Sequence, residues 1–247
     1  MTQRRTTPLK QINIEGHHCS TDVRLEKLGM VPFFQGLGKN DLSEINARFR
    51  ANHFGNEESI YYLDEEASWL WVVVFGAVKL IQHTAEGKDI LIDLLKPGEY
   101  FGTLPVLGDD RYTETAYTQS TSCILRAGTA DFESILHSYP SVSVKMIQIT
   151  SRRLKDAREK ILRFTTASVE QRIISVLLTL AGKFGEQRKD GILIQIPVSR
   201  QDLAGMSGTS GETASRIMHR FREEGLIRSG RQWISIINYH ELEARLQ

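Results

Sequence analysis

SRQDLAGMSGTSGETASRIMHRFREEGL, residues 199–226, reads as two short helices joined at a glycine turn. Ser199 can cap the first, with Asp202 in a first turn favoured by the positive end of the helix. Leu203 and Met206 are its apolar contacts, and the small Ala204 lets a second helix come close. Gly208 suits a turn that needs a left-handed backbone. Ser210 can cap the second helix, whose inward face is Ala214, Ile217, Met218 and Phe221, and Gly225 ends it. The outward face presents Glu212, Ser215 and Arg216 in the first two turns, then His219 and Arg220. A helix that buries one face and offers polar side chains from its first two turns fits the major groove of DNA. Arg can fork to guanine and Glu can accept from a cytosine amine, whereas Arg200, heading the first helix, is placed to meet phosphate. Gln201, Thr209, Ser210 and Thr213 complete the expected contacting set. Two amphipathic helices on a glycine turn also occur in domains that bind no DNA, so the flanking sequence has to be weighed.

On the C-terminal side, Leu226 to Ile237 reads as a hairpin turning at Ser229-Gly230. On the N-terminal side, Ile192 to Val198 reads as a strand preceded by a polar hairpin region. Before that, Ser168 and Gln171 form a capping box that opens an apolar-rich helix (Ile173, Ile174, Val176, Leu177, Leu178, Leu180) ending near Gly182. Helix, strand, helix, helix, hairpin is the order of a winged helix-turn-helix. Further upstream, Pro140 starts a long charged helix. Its seam, Ile147, Thr150, Leu154, Ala157, Ile161 and Phe164, alternates steps of three and four, as a coiled coil does. Arg152, Arg153, Lys155, Asp156, Arg158, Glu159 and Lys160 line its other faces. Such a stripe needs a partner, and a second copy of the same helix suits it better than the chain's own domain.

From Ser59 to Ala127 the texture changes. Short β-branched and aromatic runs (Ser59 to Leu63, Trp69 to Phe75, Ala77 to His83, Ile90 to Leu95, Thr115 to Thr118, Cys123 to Arg126) are separated by turn signals at Asp64-Glu65, Gly76, Glu86-Gly87, Pro97-Gly98 and Gly108-Asp109-Asp110. This predicts an antiparallel sandwich or barrel. Ala130 to Leu136 reads as a short helix. Asp41 opens an amphipathic stretch with Leu42, Ile45 and Phe49 on one face. Residues 1–28 read as a loose polar extension ending in a short helix from Ser20 to Leu28.

The 247 residues suffice for two modest domains, and 40% hydrophobic with 25% charged residues is ordinary for a globular protein. A net charge of +1 excludes gross polycation binding but not a local basic face. No apolar run reaches the roughly 18 residues of a membrane span, and Met1 to Lys10 lacks a secretory hydrophobic region. Two cysteines are too few for a disulfide framework, which points to the reducing cytosol. No nucleophile–base pair, metal-ligand spacing or phosphate loop marks an enzyme.

These residues resemble the CRP/FNR family of bacterial regulators over about residues 30–240. Trp71 to Leu80 (WVVVFGAVKL), Glu86-Gly87-Lys88 and Lys96 to Gly102 (KPGEYFG) stand where that family's β-roll has glycine-punctuated strands. Arg200 to Ala204 (RQDLA) and Gly208 to Arg216 (GTSGETASR) match its helix-turn-helix. The resemblance implies an α+β fold: an N-terminal antiparallel β-roll (jelly roll), a long dimerisation helix and a C-terminal winged helix-turn-helix. Expected boundaries are an extension at 1–28, a cyclic-nucleotide-binding-like sensor at 29–137, the helix at 138–166 and the DNA-binding domain at 167–247. In the FNR-type branch, Glu followed by Ser and Arg three and four positions later reads TTGAT half-sites, the pattern of Glu212, Ser215 and Arg216. Gly211 departs from it, where a larger residue is usual.

Members that bind cyclic AMP carry Gly-Glu-Leu and, further on, Arg-Ser; here Gly102-Thr103-Leu104 and Thr113-Glu114 stand in those places. Thr103 is a poor substitute for a ribose-binding carboxylate, and Glu114 would repel phosphate, so cyclic AMP in the usual mode is not expected. Thr103, Leu104, Arg111, Thr113 and Glu114 outline the effector pocket, and Arg111 could serve another anion. FNR's cluster needs four cysteines, and only Cys19 and Cys123 could correspond. Ligands could be drawn from His17, His18, Cys19 and Cys123, but no metal is assigned, since a small residue at 123 is expected in a buried strand. His53, His83, His137, His219 and His240 stand isolated in the sequence; haem ligation is unmarked, and the cofactor stays unknown. The expected product is a cytoplasmic homodimer that binds double-stranded DNA as a palindrome-reading regulator, with RNA polymerase as a further partner if it activates. A haem-, metal- or redox-dependent sensor, or a member active without ligand, are alternatives. A regulatory subunit of an enzyme or channel is the competing class.

Overall fold

The computed structural model describes residues 8–9, 19–83 and 89–246, with the side chains at 160, 161, 163 and 164 also left undescribed. Glu86-Gly87-Lys88, His17 and His18 therefore lie outside the described residues, as do the side chains of Ile161 and Phe164. The chain forms two compact units, meeting in sequence between Glu159 and Lys160.

The first unit contains two four-stranded antiparallel sheets. One has the order β1 (Arg50–Phe54), β8 (Ser122–Gly128), β3 (Trp69–Phe75), β6 (Tyr100–Phe101). The other runs β2 (Ser59–Tyr61), β7 (Thr115–Thr118), β4 (Val78–His83), β5 (Asp89–Leu95). Alternation along β3 and β8 makes one sheet serve two cores. Trp71, Val73 and Ile124 point between the sheets with Tyr61, Phe101 and Tyr112. Leu70, Val72, Val74, Cys123, Leu125 and Ala127 point to the other side, into a cluster with Phe33, Phe34, Ile45 and Phe132. That cluster is closed by α1 (Thr21–Met30), α2 (Lys39–Ala47), α3 (Thr129–Ser138) and the start of α4 (Pro140–Thr166).

Two readings of this half need correction. Leu25 and Leu28 of α1 are buried, so part of the expected extension 1–28 is core. The stretch opened at Asp41 stops as helix at Ala47, and Phe49 leads into strand β1, which the sequence did not suggest. β1 is an edge strand paired only with β8, and its residues are exposed or half-buried.

The second unit packs α5 (Val169–Phe184), α6 (Arg200–Ser207), α7 (Gly211–Glu223) and α8 (Tyr239–Ala244) with a four-stranded sheet. The sheet order is β11 (Ile227–Gly230), β12 (Trp233–Ile236), β10 (Gly191–Ile194), β9 (Gly185–Arg188). The hairpin turns at Arg231-Gln232, two residues later than read, with Gln232 at positive φ. Ile173, Ile174, Leu177, Leu203, Ile217, Phe221, Ile234 and Leu242 form the interior.

Candidate nucleic-acid interface

Local chemistry sets the reading helices. The Ser199 hydroxyl accepts from the Asp202 amide at 3.0 Å while the Asp202 carboxylate accepts from the Ser199 amide at 2.7 Å. This box starts α6. Gly208 closes it with φ 61°, a conformation that penalises any side chain. Ser210 then accepts from the Thr213 amide at 3.1 Å and starts α7, so Ser210 and Thr213 are committed to the cap. Ala214, Ile217, Met218 and Phe221 of α7 are buried, while Glu212, Ser215, Arg216 and His219 face solvent together. Removing the cap of α6 with Ser199→Ala should cost about 1 kcal/mol, read as a lower denaturation midpoint at unchanged slope.

The expected contacting residues divide into two groups. Arg216, Glu212 and Ser215 share the open face, and Arg216 makes no ion pair among the described residues. Gln201 lies beside them: a Cβ built on Gly211 would stand 2.9 Å from its Oε1, so the amide covers the space left by the glycine. Arg200 and Arg220 are engaged by groups of their own unit. Arg200 donates to the Ser229 hydroxyl at 2.9 Å and ties α6 to the hairpin; burial, then the charge of Arg222, lowers its pKa. Arg220 pairs with Glu170 and Glu224, beside Arg245, which donates to Glu224 at 2.6 Å. That network links α5, α7 and α8. Periodicity could not reveal this for Arg220, because Glu170 is fifty residues away.

One supporting residue went unnoticed. Arg172 of α5 donates to the Ser207 carbonyl at 2.8 Å and the Gly208 carbonyl at 3.3 Å, and also to Ala167 at 3.0 Å. It holds the turn between the two helices from behind. Arg172→Ala should destabilise this unit by about 1–2 kcal/mol, since hydrogen bonds to a charged group count for more than neutral ones and these are partly exposed. Calorimetry should show a melting point lower by roughly 4–16 °C for a domain of this size.

The residues expected to outline an effector pocket do not all share one side of the sheet. Leu104 is fully buried in the helix-side cluster, away from the space between the sheets. Thr103 is half-buried, and Arg111 is exposed and donates to the Asp64 carbonyl at 2.6 Å. Thr113 donates to Glu114 at 2.5 Å, and Glu114 accepts from the Tyr61 hydroxyl at 2.9 Å. Tyr61 stacks on Tyr112 with centroids 3.7 Å apart, and Phe101 and Trp71 extend the stack. Burial, then the adjacent Glu114 charge, raises the Tyr61 pKa. On the helix-side face of the first sheet, Cys19 and Cys123 of β8 are joined as a disulfide, although two cysteines read as too few for a disulfide framework. Burial of Leu25 and Leu28 seats α1 on the sheet that carries Cys123, which brings Cys19 to it.

Both halves match family models: the cyclic nucleotide-binding domain at residues 51–139 and the Crp-like helix-turn-helix domain at 171–245. The chain belongs to the CRP/FNR family. Among curated CRP/FNR-type regulators, it is 25% identical over 199 residues to the cyclic AMP receptor protein of Thermus thermophilus, covering 81% of this chain and 89% of that one. It is 28% identical over 218 residues to the probable transcriptional regulator flp of Lacticaseibacillus casei, covering 87% and 95%. The solved structure of FixK2 from Bradyrhizobium japonicum shares the fold, with TM-score 0.70 and 21% identity over 79% of this chain and 96% of that one. These relatives are regulators of transcription, not enzymes, and the chain is a transcriptional regulator with a DNA-binding helix-turn-helix. No described helix is long and apolar enough to cross a membrane.

Two groups associated with the CRP/FNR family do not fit these residues. A cyclic nucleotide would meet Thr113 and Glu114 at its phosphate, where no cation replaces the family's Arg and the Glu114 carboxylate would repel it. A four-thiolate iron–sulfur cluster needs twice the two cysteines in the sequence.

Proposed function

We propose that the protein is a cytoplasmic homodimeric regulator that reads a palindromic, TTGAT-like site through Glu212, Ser215 and Arg216. The observation that carries this is the exposed polar face of α7's first two turns, backed by a fully packed inner face. Gln201 and Thr209 border that face, with Arg200 behind it. Two such heads, paired through α4, suit half-sites about one helical turn apart. Contact with RNA polymerase and an activating role belong to the same reading.

The test is fluorescence anisotropy on an inverted TTGAT-like repeat and on a scrambled duplex at physiological salt. The expected result is tighter binding to the repeat by several orders of magnitude. Equal binding to both rejects sequence-specific recognition by this face. A second reading, activity without any small ligand, is favoured by the aromatic stack that lies between the two sheets. Cyclic AMP should then leave the melting temperature unchanged, because only a ligand that binds the folded state raises it.

A further inference from the structure

Cys19, His53 and Cys123 arrive from three separate parts of the first unit. Cys19 precedes α1, His53 lies in β1, and Cys123 stands directly opposite His53 in the β1–β8 register. One ligand atom from each lies within 4.8 Å of the other two. Cys123 is buried, Cys19 half-buried and His53 exposed, so the cluster has an apolar floor and an approach from solvent. The cysteine Cα atoms, 6.0 Å apart, leave both side chains room to share an ion once the disulfide is reduced.

We propose that reduced Cys19 and Cys123, with His53, hold one zinc-class divalent ion. Two thiolates and an imidazole are a borderline-soft set that favours zinc in tetrahedral geometry over calcium or magnesium. Zinc lies about 2.3 Å from sulfur and about 2.0–2.1 Å from nitrogen, so its donors fit within the observed separation. Three protein ligands leave a fourth position open. Disulfide and ion exclude each other, because the sulfurs bind metal only as thiolates. Reduction by an added phosphine delivers two electrons and two protons to the sulfurs, with water supplying the oxygen of the phosphine oxide. Binding then releases the thiol protons. The bound ion would fasten the start of α1 to β1 and β8. This inference is independent of the DNA-recognition reading.

The experiment uses full-length protein, reduced without oxygen and freed of phosphine, titrated with cobalt(II) and then zinc(II). The expected result is one ion per chain, a sulfur-to-cobalt charge-transfer band, and displacement of cobalt by zinc. The disulfide form should show none of these. His53→Ala, at an exposed position, should fold normally and weaken binding by at least roughly tenfold. Cys19→Ser should weaken binding and reduce the charge-transfer band to at most that of a single thiolate. Reduced protein that binds no cobalt, or binds it with the spectrum of Cys19→Ser, overturns the site. Unchanged affinity and spectrum in His53→Ala overturn the three-residue assignment, as does iron recovered with inorganic sulfide.

Discussion

Replacing Ile147 and Leu154 together with aspartate should leave a monomer that binds a single half-site normally but the inverted repeat about 10²–10⁴-fold more weakly. The argument rests on two faces of α4. Val142, Met146 and Ile149 pack against the chain's own core, and Arg153 lies over the Tyr100 ring at 4.2 Å. Ile147 and Leu154 remain 69% and 54% exposed, with Thr150 and Ala157 exposed on the same seam. The helix thus satisfies its own unit with one stripe and leaves another open, at coiled-coil spacing. Aspartates on that stripe cost the folded monomer little, because the sites are already solvated. Across a two-fold pair, however, they place like charges face to face in a seam that must lose water. Tethering raises the effective concentration of the second head, and that gain vanishes with the pair. Light scattering should report the monomer and anisotropy the affinities. A double variant that stays dimeric and binds the repeat undiminished would place the pairing elsewhere.

Legibility in the sequence followed the range of the physics. Caps are local, so Ser168 with Gln171, Ser199 with Asp202, and Ser210 all accept the amide bonds expected of them. Gly208 takes the left-handed turn for the same reason. The strand runs were legible because β3, buried on both faces, is continuously apolar and β8 carries the shorter run Cys123-Ile124-Leu125. β1 was not, because an edge strand with polar residues offers no such run. The fates of Arg200 and Arg220 were hidden too: Ser229 and Glu170 are brought to them by tertiary packing alone. Periodicity shows which way a side chain points, and nothing of which distant group waits there. The same limit separated His53 from Cys123, which the β1–β8 register places directly opposite each other.

Arg216→Ala should lose about 1–3 kcal/mol on the cognate duplex, roughly 5- to 150-fold, and relax the preference at one base position per half-site. Arg216 is the cation on the open face of α7 without an ion pair among the described residues, whereas Arg220, one turn on, is held by Glu170 and Glu224. A guanidinium free of internal partners can meet both acceptors of a guanine edge, and Glu212, one turn before it, can accept from a cytosine amine. Arg216→Lys separates charge from geometry: it keeps the cation for phosphate but loses the fork. Binding to random DNA should therefore stay near wild type in the lysine variant while the cognate duplex loses nearly as much as with alanine. The salt slope should fall by about one for a lost phosphate contact and stay unchanged for a lost base contact. Should both variants weaken cognate and random duplexes alike, with the slope reduced, Arg216 meets phosphate, and the reading of the half-site passes to Glu212 and its neighbour Gln201.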